Sequence, residues 1–386
     1  MQAVRNTIYI GLSMLCVLGA YAQGWNNPAD KYAEVYKDYS DAACPIGQDG
    51  ISHFAYFTRD RGRMRRHAFL EHERFEGAQI MYAWRQLETA EGVYDFSIIR
   101  SDIDYLKSHG KKLFIQLQDV TFSASYKPLP DYMLSESYDG GLVPYRANGA
   151  TIGWISKRWN PRVQERFHAL LTALGEAFDG EIEGINLQET AIDVAPETDP
   201  TFAPALYAEA IQENMRALKS AFPTSTTLQY ANFMPNEWLP WEDEGYLRGI
   251  YALGEEIGVG LGAPDLRVKR RAQLNHPIAL MREGTYTAPL GIAIQDGNYI
   301  GGTGADAHFQ DRNEGGLVTQ SQVPMLQAFA KDFLRVDYMF WVDQAPYFDN
   351  QVLPCFAQNL RPQRQATNIT FEDASNILGA RRNEGI

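Results

Sequence analysis

The chain reads as a (β/α)8 barrel, and three observations predict it. Eight short, β-rich apolar runs are spaced between about residue 50 and residue 348. Stretches with a helical apolar period lie between them, which argues a parallel sheet, and a count of eight argues closure. Most of the runs also end in polar or acidic residues. A doubly wound open sheet is the rival architecture, but no glycine-rich phosphate turn supports it.

The runs follow in order. The first is Ile51–Phe57, the second Ala78–Trp84 and the third Lys112–Gln118. Between the second and third, Ser97 to Gly110 predicts a capped helix with Ile98, Ile103 and Leu106 on its apolar face. The fourth run is Ile182–Glu189, preceded by a helical period over Asn160–Phe178. The fifth is Thr226–Asn232, after a helix from about Pro204 to Ala221, and the sixth is Ile257–Gly262. The seventh is Leu290–Asp296, and the eighth is Tyr338–Asp343, fed by a helix over Val323–Val336. Segments 120–158 and 297–322 are expected as long loops after the third and seventh strands, on the side where barrel enzymes keep their sites.

Residues 1–22 have the pattern of a secretory signal: Arg5, an apolar stretch from Ile8 to Gly19, then Ala20-Tyr21-Ala22 before Gln23. This predicts a secreted or periplasmic protein with a barrel over 23–358 and a polar tail over 359–386. Cys44 and Cys355 flank the barrel; they either pair in an oxidising compartment or stay as buried thiols. The formal charge of −13 argues against nucleic acid, which wants a basic face. No later apolar run is long enough to span a bilayer, so no membrane partner is expected after signal removal. The seven His show no His-x-x-x-His spacing and the three Cys no Cys-x-x-Cys, so neither metal nor cofactor is expected.

Glu189 is the most informative residue. A lone carboxylate at the junction of a buried strand and a loop has no structural reason to be acidic, and desolvation would raise its pKa. Asp296 ends the seventh run, three strands away, and would face Glu189 across the mouth. Around them the strand ends place Trp84, Gln118, Asp119, Asn186, Gln188, Tyr230, Asn232 and Trp341. Carboxylates, amides and aromatic rings converging on one mouth suit a carbohydrate ligand. Asp119, Asp265 and Asp343 read as loop caps or ion-pair partners before they read as catalysts, and Trp84 and Trp341 read equally as core plugs.

Trp84-Arg85-Gln86-Leu87-Glu88, followed by Glu91-Gly92-Val93-Tyr94-Asp95-Phe96-Ser97, resembles the passage after the second strand in clan A (β/α)8 glycoside hydrolases. The β-galactosidase-like members show it most clearly. Leu129-Pro130-Asp131-Tyr132-Met133 resembles another loop of that clan, and Met339-Phe340-Trp341 resembles its eighth strand. The resemblance implies hydrolysis of a polysaccharide or oligosaccharide, with Glu189 as the acid/base that ends strand four. Gln188 stands where the family has Asn, and Asp296 where it has the nucleophilic Glu. The implied mechanism uses two carboxylates: Asp296 is a nucleophile in a retaining reaction, with the carboxyls about 5–5.5 Å apart, or a base that activates water at about 6.5–9.5 Å, or no catalyst. The missing Glu on strand seven motivates the alternative, a barrel that binds glycans without cleaving them.

Overall fold

The computed structural model describes residues 27–147, 149–302 and 321–357. The expected signal segment, most of the loop after the seventh strand and the expected polar tail lie outside the described residues. Eight strands form the barrel: β1 Ser52–Tyr56, β2 Phe75–Ala83, β3 Lys112–Gln118, β4 Gly184–Leu187, β5 Thr226–Tyr230, β6 Gly260–Ala263, β7 Leu290–Ile294 and β8 Tyr338–Val342. Each pairs in parallel with its sequence neighbours, and β8 closes on β1 with Phe54 opposite Phe340. The predicted fold class is therefore the observed one.

The barrel interior is filled asymmetrically. Phe54, Phe114 and Phe340 pack there, with Phe114 and Phe340 ring centres 4.8 Å apart. Small residues face them from other strands. A Cβ at Gly184 would lie 2.7 Å from the Phe114 ring, and one at Gly262 only 1.6 Å from the Gly291 carbonyl. The Phe114 ring is thus accommodated by glycine on β4, and Gly262 lets the β6 backbone approach that of β7 closely.

The outer helices are amphipathic and locally encoded. The helix Ser97–Ser108 (α1) buries Ile99, Ile103 and Leu106. The helix Pro161–Phe178 (α2) is capped by Asn160, whose Oδ1 accepts from the Arg162 and Val163 N–H groups, and Pro161 fits the first turn. Its Val163, Phe167, Leu170, Leu171, Leu174 and Phe178 repeat at helical spacing and face the barrel. The helix Pro204–Ala221 (α3) packs beside it.

Two expectations need correction. The sixth strand begins at Gly260, not Ile257, because the helix Tyr246–Ile257 (α4) runs up to Gly258. With φ 74°, Gly258 adopts the left-handed conformation that ends a helix. Segment 120–158 is not a structureless loop: Val120–Thr121, Leu142–Ala147 and Ala150–Ser156 form an antiparallel three-stranded sheet that continues from β3.

Cys44 and Cys355 are joined as a disulfide across 311 residues. It ties the segment before β1 to the segment after β8. In the chain-entropy picture a loop of this length stabilises the fold by about 6 kcal/mol. No helix among the described residues is long and apolar enough to cross a membrane.

Candidate active site

The carboxyl ends of the strands supply the site. Glu189, Asn232, Asp265 and Asp296 each stand two residues beyond the last residue of β4, β5, β6 and β7. The Asn232 Nδ2 donates to Glu189 Oε2 at 2.7 Å. Its own Oδ1 accepts from the Ala191 and Phe233 N–H groups at 3.2 and 3.0 Å, so the amide has one orientation and its NH2 must face Glu189. Behind Glu189, the Arg158 Nη1 donates to the Glu189 carbonyl at 2.9 Å. Asp119 holds that guanidinium through two contacts of 2.7 Å, both groups being buried.

Burial, and after it the charge of Asp265, push the Glu189 carboxyl up to about 7 against the Asn232 hydrogen bond and the Arg158 charge, which pull it down. Glu189 is therefore about half protonated near neutral pH, the condition a general acid needs. Asp265 is held by Asn298, whose Nδ2 donates to its Oδ1 at 2.9 Å. The Asn298 Oδ1 accepts from the Leu266 and Gln295 N–H groups, linking the ends of β6 and β7.

Strand seven departs from the expected pair. The side chain of Gln295, not Asp296, is hydrogen-bonded to the Tyr56 hydroxyl at the end of β1. Asp296 is exposed on the rim. Burial and the neighbouring charge of Asp343 raise its pKa, whereas the carboxylate that acts on Glu189 is Asp265.

The other predicted site residues separate into three groups. Gln118 lies at the mouth, its Oε1 accepting from Arg59 Nη1 at 3.2 Å. Asn186 and Tyr230 lie lower in the interior, where Gln79 Nε2 donates to Asn186 Oδ1 at 2.8 Å and to the Tyr230 hydroxyl at 3.4 Å. The remaining four have structural partners. Gln188 Oε1 accepts from the Asp119 and Val120 N–H groups at 2.8 and 2.6 Å, which fixes the end of β3 against β4. Asp119 is committed to Arg158 and Ser156.

Trp84 and Trp341, expected either as substrate-site residues or as core plugs, are fully buried outside the barrel, as core plugs are. Trp84 packs on Phe167 of α2 and its Nε1 donates to Glu88 at 2.7 Å. Trp341 donates to His53 Nδ1 at 3.0 Å and packs on Phe356. Alternation along a strand is the reason: Phe340 points into the barrel, so Trp341 points away from it. The passage from Trp84 to Ser97 thus has a structural centre in Glu88. This fully buried carboxylate accepts from Trp84, the Gly92 N–H, Tyr132 and Arg166.

Several site residues escaped sequence reasoning. Tyr56 and Gln295 carried no signal beyond their place at strand ends, and Asp265, a strand-end residue too, was read as a loop cap or ion-pair partner. Tyr145, on the projecting sheet, is half-buried, and its hydroxyl is pushed up by burial and then by the charges of Glu189 and Asp193. Its ring lies 5.5 Å from that of Phe122, which is 58% exposed. An aromatic pair therefore stands beside the acid.

Among the described residues, His67, Asp343 and Asp349 have metal-ligand types within 4.8 Å of one another. They do not fit a cation. His67 Nδ1 accepts from the Phe69 N–H at 3.1 Å, so Nε2 carries the proton and faces the carboxylates as a donor. Arg63 already spans both carboxylates at 2.7 Å.

No protein-family model matches the sequence, and no curated protein does. Solved structures are similar only at low identity. Endo-glycoceramidase II from Rhodococcus sp. is 11% identical over 75% of this chain and 73% of its own, with a TM-score of 0.46. The catalytic domain of beta-amylase from Paenibacillus polymyxa is 12% identical over 76% of this chain and 93% of its own, with a TM-score of 0.40. GH5_18 from Bifidobacterium longum subsp. longum is 12% identical over 51% of this chain and 46% of its own, at 0.36. At these values the likeness adds nothing to the barrel that the strand pairing already defines.

Proposed function

We propose that this protein is a secreted glycoside hydrolase that cleaves O-glycosidic bonds in a polysaccharide or oligosaccharide. The observation that carries the reading is the Glu189 carboxyl at the barrel mouth, oriented by Asn232 and facing the charge of Asp265. Glu189 donates its proton to the glycosidic oxygen as the bond to the anomeric carbon breaks. A water attacks that carbon from the opposite face and gives a proton to Asp265. This is the inverting arrangement of two carboxylates. The retaining mechanism, with Asp296 as nucleophile, is less well supported, because strand seven turns the Gln295 amide toward Tyr56 and leaves Asp296 on the rim. The signal-like segment 1–22 and the Cys44–Cys355 disulfide both fit an exported protein.

A second reading is favoured by that same amide: a barrel that binds glycans and leaves them intact. The two separate on whether purified protein releases new reducing ends from any member of a polysaccharide panel. Where it does, Glu189→Gln and Asp265→Asn should each lower turnover by about 10²–10⁴-fold. Asp296→Asn should change it little. Near-native turnover in the Glu189 variant would remove the assignment, and a large loss in the Asp296 variant would restore the retaining pair.

A further inference from the structure

Arg59 is placed for recognition of a ligand. It follows Thr58, whose φ of 50° puts a β-branched residue in the left-handed region, a strained conformation. The Thr58 carbonyl accepts from the Met81 N–H at 2.7 Å, so β2 holds the strained backbone in place. The guanidinium is thereby set at the carboxyl end of β1. Its Cζ lies 4.5 Å from the centre of the Tyr126 ring, and Nη1 donates to Gln118 at the end of β3. Its charge also acts on the Tyr56 hydroxyl, which in turn feels Glu189. Arg59 therefore shares the mouth with the acid.

The chain has 48 acidic against 35 basic residues, so carboxylates are in excess. Arg61, Arg63, Arg74, Arg158 and Arg166 each have one within contact distance. Arg59 is exposed and, among the described residues, has no carboxylate partner. Stacked on a ring and steadied by one amide, it keeps most of its five N–H donors free. That is the fork geometry which takes an oxyanion through two hydrogen bonds.

We propose that Arg59 binds an anionic substituent of the sugar, a carboxylate or a sulfate ester, beside Glu189, so that the glycan this barrel takes is acidic. The proposal rests on the reading that the mouth receives a glycan.

The test measures binding, not cleavage, in the Glu189→Gln background. Titration calorimetry with polyuronate and sulfated oligosaccharides is compared with their carboxyl-reduced and desulfated counterparts. Binding should weaken about 10- to 100-fold when the charged group is removed, and Arg59→Ala should weaken acidic-ligand binding by a similar factor. Arg59→Lys should recover only part of it, since an ammonium lacks the planar fork. Loss on carboxyl reduction identifies a uronate, and loss on desulfation a sulfate ester. Neutral forms bound as tightly as acidic ones, unchanged binding in Arg59→Ala, or no binding of any of these glycans would overturn the proposal. Arg59-dependent binding in a wild-type protein that releases no reducing ends would sink the hydrolase reading and leave the recognition standing.

Discussion

The Asn232 Nδ2 donates to Glu189 Oε2 at 2.7 Å while the charge of Asp265 bears on the same carboxyl. The two neighbours act in opposite directions. The amide stabilises the carboxylate, and Asp265 opposes it. Asn232→Ala should therefore move the Glu189 titration upward from about 7, and Asp265→Asn should move it downward, each by about one pH unit. Difference infrared spectra against Glu189→Gln would follow the carboxyl band in both variants. Shifts of the same sign would refute the account. Because a general acid works protonated, the alkaline limb of wild-type turnover should fall near pH 7.

The raised pKa has a cost in stability. Folding lifts the Glu189 carboxyl from an ordinary 4.5 to about 7, so the neutral form is the one the fold prefers. The contribution is fully present below the unfolded value and is lost as pH rises through the folded one. Glu189→Gln, which is neutral at every pH, should thus be more stable than wild type at pH 8, by up to about 3 kcal/mol. Below pH 4.5 the two should melt together. Thermal denaturation across this range decides the matter, and a constant gap would argue that the Glu189 carboxyl is not the source.

Asp119 is predicted to matter for both fold and turnover without touching substrate. Asp119→Ala leaves the Arg158 guanidinium buried and uncompensated, a change that typically costs about 3–5 kcal/mol. It also frees the guanidinium that holds the Glu189 carbonyl. Denaturant unfolding should report the loss, and kcat should fall with KM nearly unchanged in the fraction that folds. A variant with wild-type stability would contradict the role given to the pair.

Glu88 is the corresponding test outside the barrel. Glu88→Ala removes the acceptor shared by Trp84, Gly92, Tyr132 and Arg166, and should destabilise by about 3–5 kcal/mol. Glu88→Gln should be milder, because one oxygen remains to accept. Trp84 fluorescence would report exposure of the ring as the site loosens.

The barrel was legible because strands buried on both faces read as continuous apolar runs, and the polar strand ends were legible because they interrupt those runs. Which of two adjacent end residues faces inward was not. Trp341 and Phe340, or Gln295 and Asp296, differ only in parity, and parity depends on the pairing register across the sheet. The proximity of Asp265 to Glu189 is likewise a property of closure, invisible along the chain. The projecting sheet was more accessible than the expected long loop suggests. Gly149, with φ 78°, takes the left-handed conformation a tight hairpin needs, between the paired Ala147 and Ala150.

The Cys44–Cys355 bond makes the chain between those residues a covalent ring. Every strand of the barrel, the projecting sheet and the loop after β7 lie inside that ring. A protease cutting once at any exposed turn within it would linearise the ring without releasing a fragment. A single nick would show as two pieces only after reduction, and the halves of the mouth that carry Glu189 and Asp265 would stay tethered through it.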